Sequence, residues 1–176
     1  MAWVTAAATI RVDAGLKGLS FTPDSITAKV GDVLEFHFHA PNHSVVMSDF
    51  GSPCQPSKTG GFFSGFIVTD SSEATDVFQV EVNSTDPIFF YCAQNLGSHC
   101  ASGMSGVVNP SKDQSLSAYQ KSAKSVTSAG SPASVFGGEV VPASKAQATA
   151  TPSPTSSPGG SSGGGGLYGG GGNGII

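Results

Sequence analysis

Alternating apolar and polar positions give the chain its first readable order. In VLEFHFH, residues 33–39, Leu34, Phe36 and Phe38 share one face; Val33, Glu35, His37 and His39 share the other. A period of two with one uniformly apolar face predicts a half-buried β-strand, with His37 and His39 on a structural or solvated polar side. DVFQVEVN (76–83) alternates in the same way, Phe78, Val80 and Val82 against Val77, Gln79 and Glu81. SITAKV (25–30) places Ile26, Ala28 and Val30 together before a Gly31-Asp32 turn. ATIRV (8–12), LSFTP (19–23), PIFFYC (87–92) and GVVN (106–109) read as further short strands, and residues 51–65 as a long surface loop. The best short helical candidate lies around Met47–Phe50, and no segment keeps a helical period for three turns. Short strands punctuated by turn residues predict an all-β sandwich or barrel.

Composition changes that picture at Asn109-Pro110. All three cysteines and all four histidines precede this point, whereas 45 of the last 66 residues are Ser, Thr, Gly, Pro or Ala. Such a segment has too little apolar surface to offset its chain entropy, so residues 111–176 are expected to be a disordered low-complexity tail. Thr149–Pro158 within it reads as a glycosylated stalk, suited to cell-wall polysaccharide. Residues 9–110 then form one folded domain. AWVTAAA resembles the end of a secretion signal, so residues 1–8 are expected to be the remnant of one.

Charge narrows the partners. Residues 1–110 carry four Lys and Arg against ten Asp and Glu, a net of −6, and the remainder carries +2. An acidic domain without a basic stripe excludes nucleic acid and anionic membrane surfaces as partners, and it favours cationic ones. No apolar run is long enough for a transmembrane span. Two glycosylation sequons begin at Asn42 and Asn83, and Asn83 is the N-glycosylation candidate.

The chemistry concentrates in FFYCAQNLGSHCASGM, residues 89–104. Cys92, His99 and Met104 put a thiolate, an imidazole and a thioether on one loop. His43, just after the 33–39 strand, is the natural second imidazole. Two His and one Cys around a metal with a weak axial Met is the blue-copper donor set. A bridge between Cys54 and Cys100 would leave Cys92 free to be that thiolate and would imply an oxidising compartment. The alternative is that Cys92 pairs with one of the other two. No Ser is left with a free His and an acid for nucleophilic catalysis, so no enzyme is expected.

The segments LSFTPDSITAKVGDVLEFHF, PNHSVVMSDFGSPC, GGFFSGFIV, PIFFYCAQ and HCASGMSGVVNP together resemble the cupredoxin-like domains of fungal extracellular serine-rich proteins, relatives of the plant phytocyanins. The resemblance runs from about Thr9 to Pro110. It implies a Greek-key β-sandwich holding one type 1 copper ion. His43, Cys92 and His99 would be equatorial ligands and Met104 the axial ligand, with Cys54–Cys100 as the disulfide. It also implies that Asn42 ties the two ligand loops together. The function expected is single-electron transfer with an undefined redox partner, outside the cell or at its wall. The rival readings are a structural or adhesive wall protein and a copper carrier. An edge of His99 is expected to reach the surface, with Phe62, Phe63 and Phe66 either an apolar rim beside it or part of the core.

Overall fold

The computed structural model describes residues 6–146. Its strands are β1 (Thr9–Ala14), β2 (Phe21–Thr22), β3 (Ser25–Ile26), β4 (Val33–His39), β5 (Asn42–His43), β6 (Val46–Ser48), β7 (Ile67–Val68), β8 (Glu73–Glu81), β9 (Ile88–Tyr91), β10 (Ser105–Val108) and β11 (Glu139–Pro142), with an α-helix, α1 (Leu116–Ala123), between the last two and a short 3-10 helix (Ala143–Lys145) after them. One sheet has the order β11-β8-β4-β1-β2 and a second the order β3-β10-β9-β6; β5 and β7 form a small separate pair. The β4 pairing is parallel to β1 and antiparallel to β8.

The two large sheets face each other across the apolar positions that the alternation marks. Leu34, Phe36 and Phe38 of β4 are fully buried, as is Phe78 of β8. Phe90 from the second sheet meets Phe21 and Phe36 of the first edge-to-face, with ring centroids 5.0 and 5.4 Å apart. Each such ring removes from water surface worth roughly 1.5–3 kcal/mol. Phe62 belongs to this interior and Phe63 to a second buried cluster with Val46 and Tyr91, so neither forms a surface rim, and Phe66 alone of the three is exposed. The segment around Met47–Phe50 is not helical. Met47 lies in β6, paired with Phe90 of β9, because sheet pairing overrides a weak local preference.

The polar face of β4 is not solvated. Glu35, His37 and His39 are all buried. Both ring nitrogens of His37 lie 2.6 Å from carboxylate oxygens, Nε2 from Glu35 and Nδ1 from Glu73. His39 Nε2 is 2.8 Å from Asp13, and Arg11 binds both Asp13 and Glu73. Polar and ionic groups bonded to one another in this way can leave water without the penalty of an isolated, unpartnered group.

The largest departure from the sequence reading lies after Pro110. Residues 111–146 are not a free tail but continue the fold. Ser115 caps α1 by accepting a hydrogen bond from the Ala118 N–H, and Tyr119 and Ala123 form the buried side of the helix. Tyr119 stacks on Phe89 with centroids 5.0 Å apart, and its hydroxyl joins Ser48 Oγ to the Cys54 N–H. The segment ends by adding β11 to the edge of β8, Val140 opposite Phe78. The expected disorder of the rest of the tail, its glycosylated stalk and most of the signal remnant lie outside the described residues.

Candidate metal centre

Two loops at one end of the sandwich bring the expected donors together. The first leaves β4 and turns at Pro41 into β5, where His43 pairs with Ile67. The second leaves β9 at Cys92 and returns into β10 after Met104. Its backbone folds on itself: His99 N–H donates to Gln94, Met104 N–H to His99 and Cys92 N–H to Met104. Cys92, His99 and Met104 are thereby fixed relative to one another before any ion binds.

Cys92 Sγ lies 3.4 Å from His99 Nδ1 and 3.8 Å from His43 Nδ1, and one ligand atom from each residue falls within a 4.8 Å group. A metal at ordinary bond lengths, about 2.3 Å to sulfur and 2.0 Å to nitrogen, would hold such donors roughly 3.5–3.7 Å apart. The donor spacing therefore fits a single ion. Met104 is completely buried in the same core cluster as Cys92. His43 is 2 % exposed and His99 7 %, so neither imidazole edge is widely open to solvent.

The remaining sulfurs are accounted for. Cys54 and Cys100 form a disulfide, and Cys92 is a free, buried thiol. The bridge fastens the 51–65 loop to the ligand loop next to His99.

The expected link through Asn42 is not seen at its Oδ1, which is buried without a hydrogen-bond partner. Ser44, on the other side of His43, connects the loops. Its backbone N–H points at Cys92 Sγ at 3.4 Å, and its hydroxyl accepts from the Ala93 N–H at 3.0 Å. The sequence signal for this was a small hydroxyl residue directly after the first imidazole. The position of Gly15 also escaped the sequence reading. It has φ +88°, and a Cβ placed there would lie 2.3 Å from His43 Nε2. The bare backbone of Gly15 is thus one wall of the His43 pocket. We expect Gly15→Ala to push the His43 ring away from Cys92 and to destabilise the metal-free domain by more than about 1 kcal/mol. Denaturant midpoints and metal stoichiometry of the variant check this.

Burial also sets the protonation of the donors. Removal from water, reinforced by the neighbouring His99, pushes His43 down to about 4 despite an opposing bond to the Ala40 carbonyl. Burial lowers His99 as well. It raises the Cys92 thiol, against the bonds from Gln94 and Ser44. The metal-free centre therefore presents neutral imidazoles beside a protonated thiol, and an incoming metal would displace the thiol proton.

The His43 shift carries a stability consequence. Its folded pKa is lower than its unfolded value of 6.5. Between about 6.5 and 4 the unfolded chain binds the extra proton, so stability falls as pH falls through that window, by about 3 kcal/mol in all. Asp13 and Glu73 act in the same direction at lower pH. Burial raises both carboxyls, but bonds from Arg11 and His39 to Asp13, and from His37 and Arg11 to Glu73, outweigh it and hold them below their ordinary range. Denaturant unfolding of the metal-free protein at pH 7 and pH 4.5 should show this loss, and His43→Gln should reduce it.

Comparison with known proteins adds relatives to this geometry. No protein-family profile matches the chain. An "Extracellular serine-rich protein" of Arthroderma benhamiae is 38% identical over 139 residues, covering 78% of this chain and 54% of that protein. A "Probable GPI-anchored cupredoxin-1" of the same fungus is 33% identical over 140 residues, covering 78% of this chain and 71% of that protein. The chain thus spans about half the length of the first relative. Among solved structures, a reduced auracyanin from Roseiflexus castenholzii has 17% identity and a TM-score of 0.43, covering 59% of this chain and 97% of its own. A pseudoazurin from Hyphomicrobium denitrificans has 21% identity and a TM-score of 0.42, covering 68% and 99%.

Proposed function

The chain belongs to the family of fungal extracellular cupredoxins, and on that premise we propose that it is a blue copper protein that passes single electrons outside the cell or at its surface. His43, Cys92 and His99 would hold the ion, with Met104 as the weak fourth donor. The convergence of one free sulfur and two imidazole nitrogens in a dry pocket carries this reading. When bound, copper would supply a centre that alternates between two oxidation states one electron apart.

The side chains supply the rest. Two imidazoles kept neutral by burial are ready to ligate. The Ser44 N–H aimed at Cys92 Sγ withdraws electron density from the sulfur, and the packed interior around Met104 keeps water out. Four protein donors leave no open position for a substrate, so the reading is a carrier and not an enzyme. The backbone of Gly15 covers His43, and His99 is the more exposed imidazole, which makes His99 the route for electrons. The acidic sandwich suits a cationic redox partner. The extracellular and GPI-anchored descriptions of the relatives support an oxidising compartment, in keeping with the disulfide. In that compartment Asn83, exposed after β8, would accept a glycan, whereas Asn42 is partly enclosed in β5.

Adding Cu(II) to the purified protein tests the proposal. One equivalent should produce intense visible thiolate-to-copper absorption and a reversible one-electron wave. Met104→Leu should keep the colour and shift the potential. A colourless protein would overturn the blue-copper reading, and a coloured one without reversible voltammetry would overturn electron transfer.

A further inference from the structure

The segment after β10 meets the ligand loop at two points, one on each side of His99. On the first side, Asn95 stands between Cys92 and His99. Its Nδ2 donates to the Ala129 carbonyl at 2.9 Å, and its Oδ1 accepts from the Ala129 N–H at 2.7 Å. On the second, Gln120 Nε2 of α1 donates 3.1 Å to the carbonyl of Gly103, the residue before Met104. The contacting stretch is itself anchored to the body of the domain. Gly130 donates to the Cys54 carbonyl at 2.9 Å and accepts from the Tyr91 hydroxyl at 2.7 Å. Val126 and Ala129 pack on the cluster that contains Cys54, Tyr91 and Cys100. A Cβ on Gly130 would lie 2.6 Å from Gln55 Oε1, so glycine permits this close approach.

We propose that residues 111–130 are an outer clamp that positions the metal-binding loop, gripping it through Asn95 of the loop and Gln120 of the clamp as the two positioning residues, and that the clamp sets how fast a bound copper ion is released. This rests on the copper reading above. The physical reason is the shape of the loop. Cys92, His99 and Met104 sit at its ends and near its middle, so release requires its arms to separate. The disulfide restrains the arm after His99 at Cys100. The arm before it, residues 93–98, has no covalent restraint, and Asn95 is where the clamp holds it. Loops opened by local fluctuation are governed by such peripheral bonds and not by the global stability of the core.

The test uses the full chain with Asn95→Leu, Gln120→Leu and both together. Asn95→Asp keeps the acceptor for the Ala129 N–H and loses the donor. Two readouts are taken: transfer of copper to a chelator followed by loss of the visible band, and amide hydrogen exchange over residues 93–104 in the metal-free protein. The double variant should release copper about tenfold faster, which two or more lost hydrogen bonds can supply. Exchange should rise over 93–104 while the denaturant midpoint stays close to that of the parent. Asn95→Asp should fall between parent and Asn95→Leu. Unchanged release and unchanged exchange in the double variant would overturn the clamp. So would changes that merely track a drop in global stability. If the parent chain takes up no copper, the functional reading fails by itself, and the exchange measurement still decides whether the clamp holds the loop.

Discussion

Replacing Cys92 with serine should abolish the visible copper band completely while leaving the domain folded. Cys92 is the only free thiol in the chain and lies in the core beside Met104. The substitution keeps nearly the same volume, and the hydroxyl can still take the hydrogen bond from the Ser44 N–H. Little stability is therefore at stake, within about 1–2 kcal/mol for such a change at a buried site. The metal chemistry responds differently. A hydroxyl is a poor ligand at neutral pH, and without sulfur there is no thiolate to copper charge transfer at all. Copper affinity should drop by orders of magnitude, as monitored by equilibrium dialysis, with an unchanged far-ultraviolet circular dichroism spectrum. Retention of an intense blue band in Cys92→Ser would show that the metal sits elsewhere.

Loss of the disulfide should produce the largest change in stability. Cys54 and Cys100 are separated by 46 residues, and both are fully buried. Opening a loop of that length returns chain entropy to the unfolded state worth about 4 kcal/mol. The paired variant Cys54→Ala/Cys100→Ala should therefore lose a large fraction of the stability of a domain this size. Its metal centre should suffer as well, since Cys100 adjoins His99 and its bridge holds the loop that carries that imidazole. Chemical reduction should do something further that the alanine pair cannot. It would free a thiol next to His99, within the same loop as Cys92, and allow copper to choose between sulfurs. Comparing the spectra of the reduced protein and the alanine pair separates loss of restraint from competition by a new ligand.

The strands were legible where side-chain alternation was strict. Phe36 lies between the polar Glu35 and His37, and Phe78 shares its face with Val80 and Val82, so no long-range information was needed to see that they face the interior. The polar partners of those strands were less legible. Glu35 and His37 read only as a structural or solvated polar face, and their burial depends on Glu73, more than thirty positions later, and on Arg11 beside it. No local pattern announces a pairing of that range. The donor residues were visible as chemistry, since three of them crowd one short loop. Ser44 connects the loops, because the backbone N–H facing the sulfur belongs to the residue after His43. Residues 111–146 were misread for a physical reason. They contribute only Tyr119, Ala123 and a few partly buried apolar groups, and much of the rest of their attachment runs through backbone N–H and carbonyl groups, such as those of Ala129, Gly130 and β11. Composition measures side-chain burial and is blind to carbonyls and N–H groups that find partners on a neighbouring strand.

The direction of the last strand has its own outcome. β11 runs antiparallel to β8, as β4 does, so β11 and β4 point the same way, and β4 leads toward His43. The polypeptide approaches Ala146 travelling toward the end of the sandwich that carries the donors. A leash attached beyond that point would turn this end inward, to its mooring. If the proposed electron transfer takes place at such a surface, a redox protein would have to come in sideways, between the domain and whatever held it.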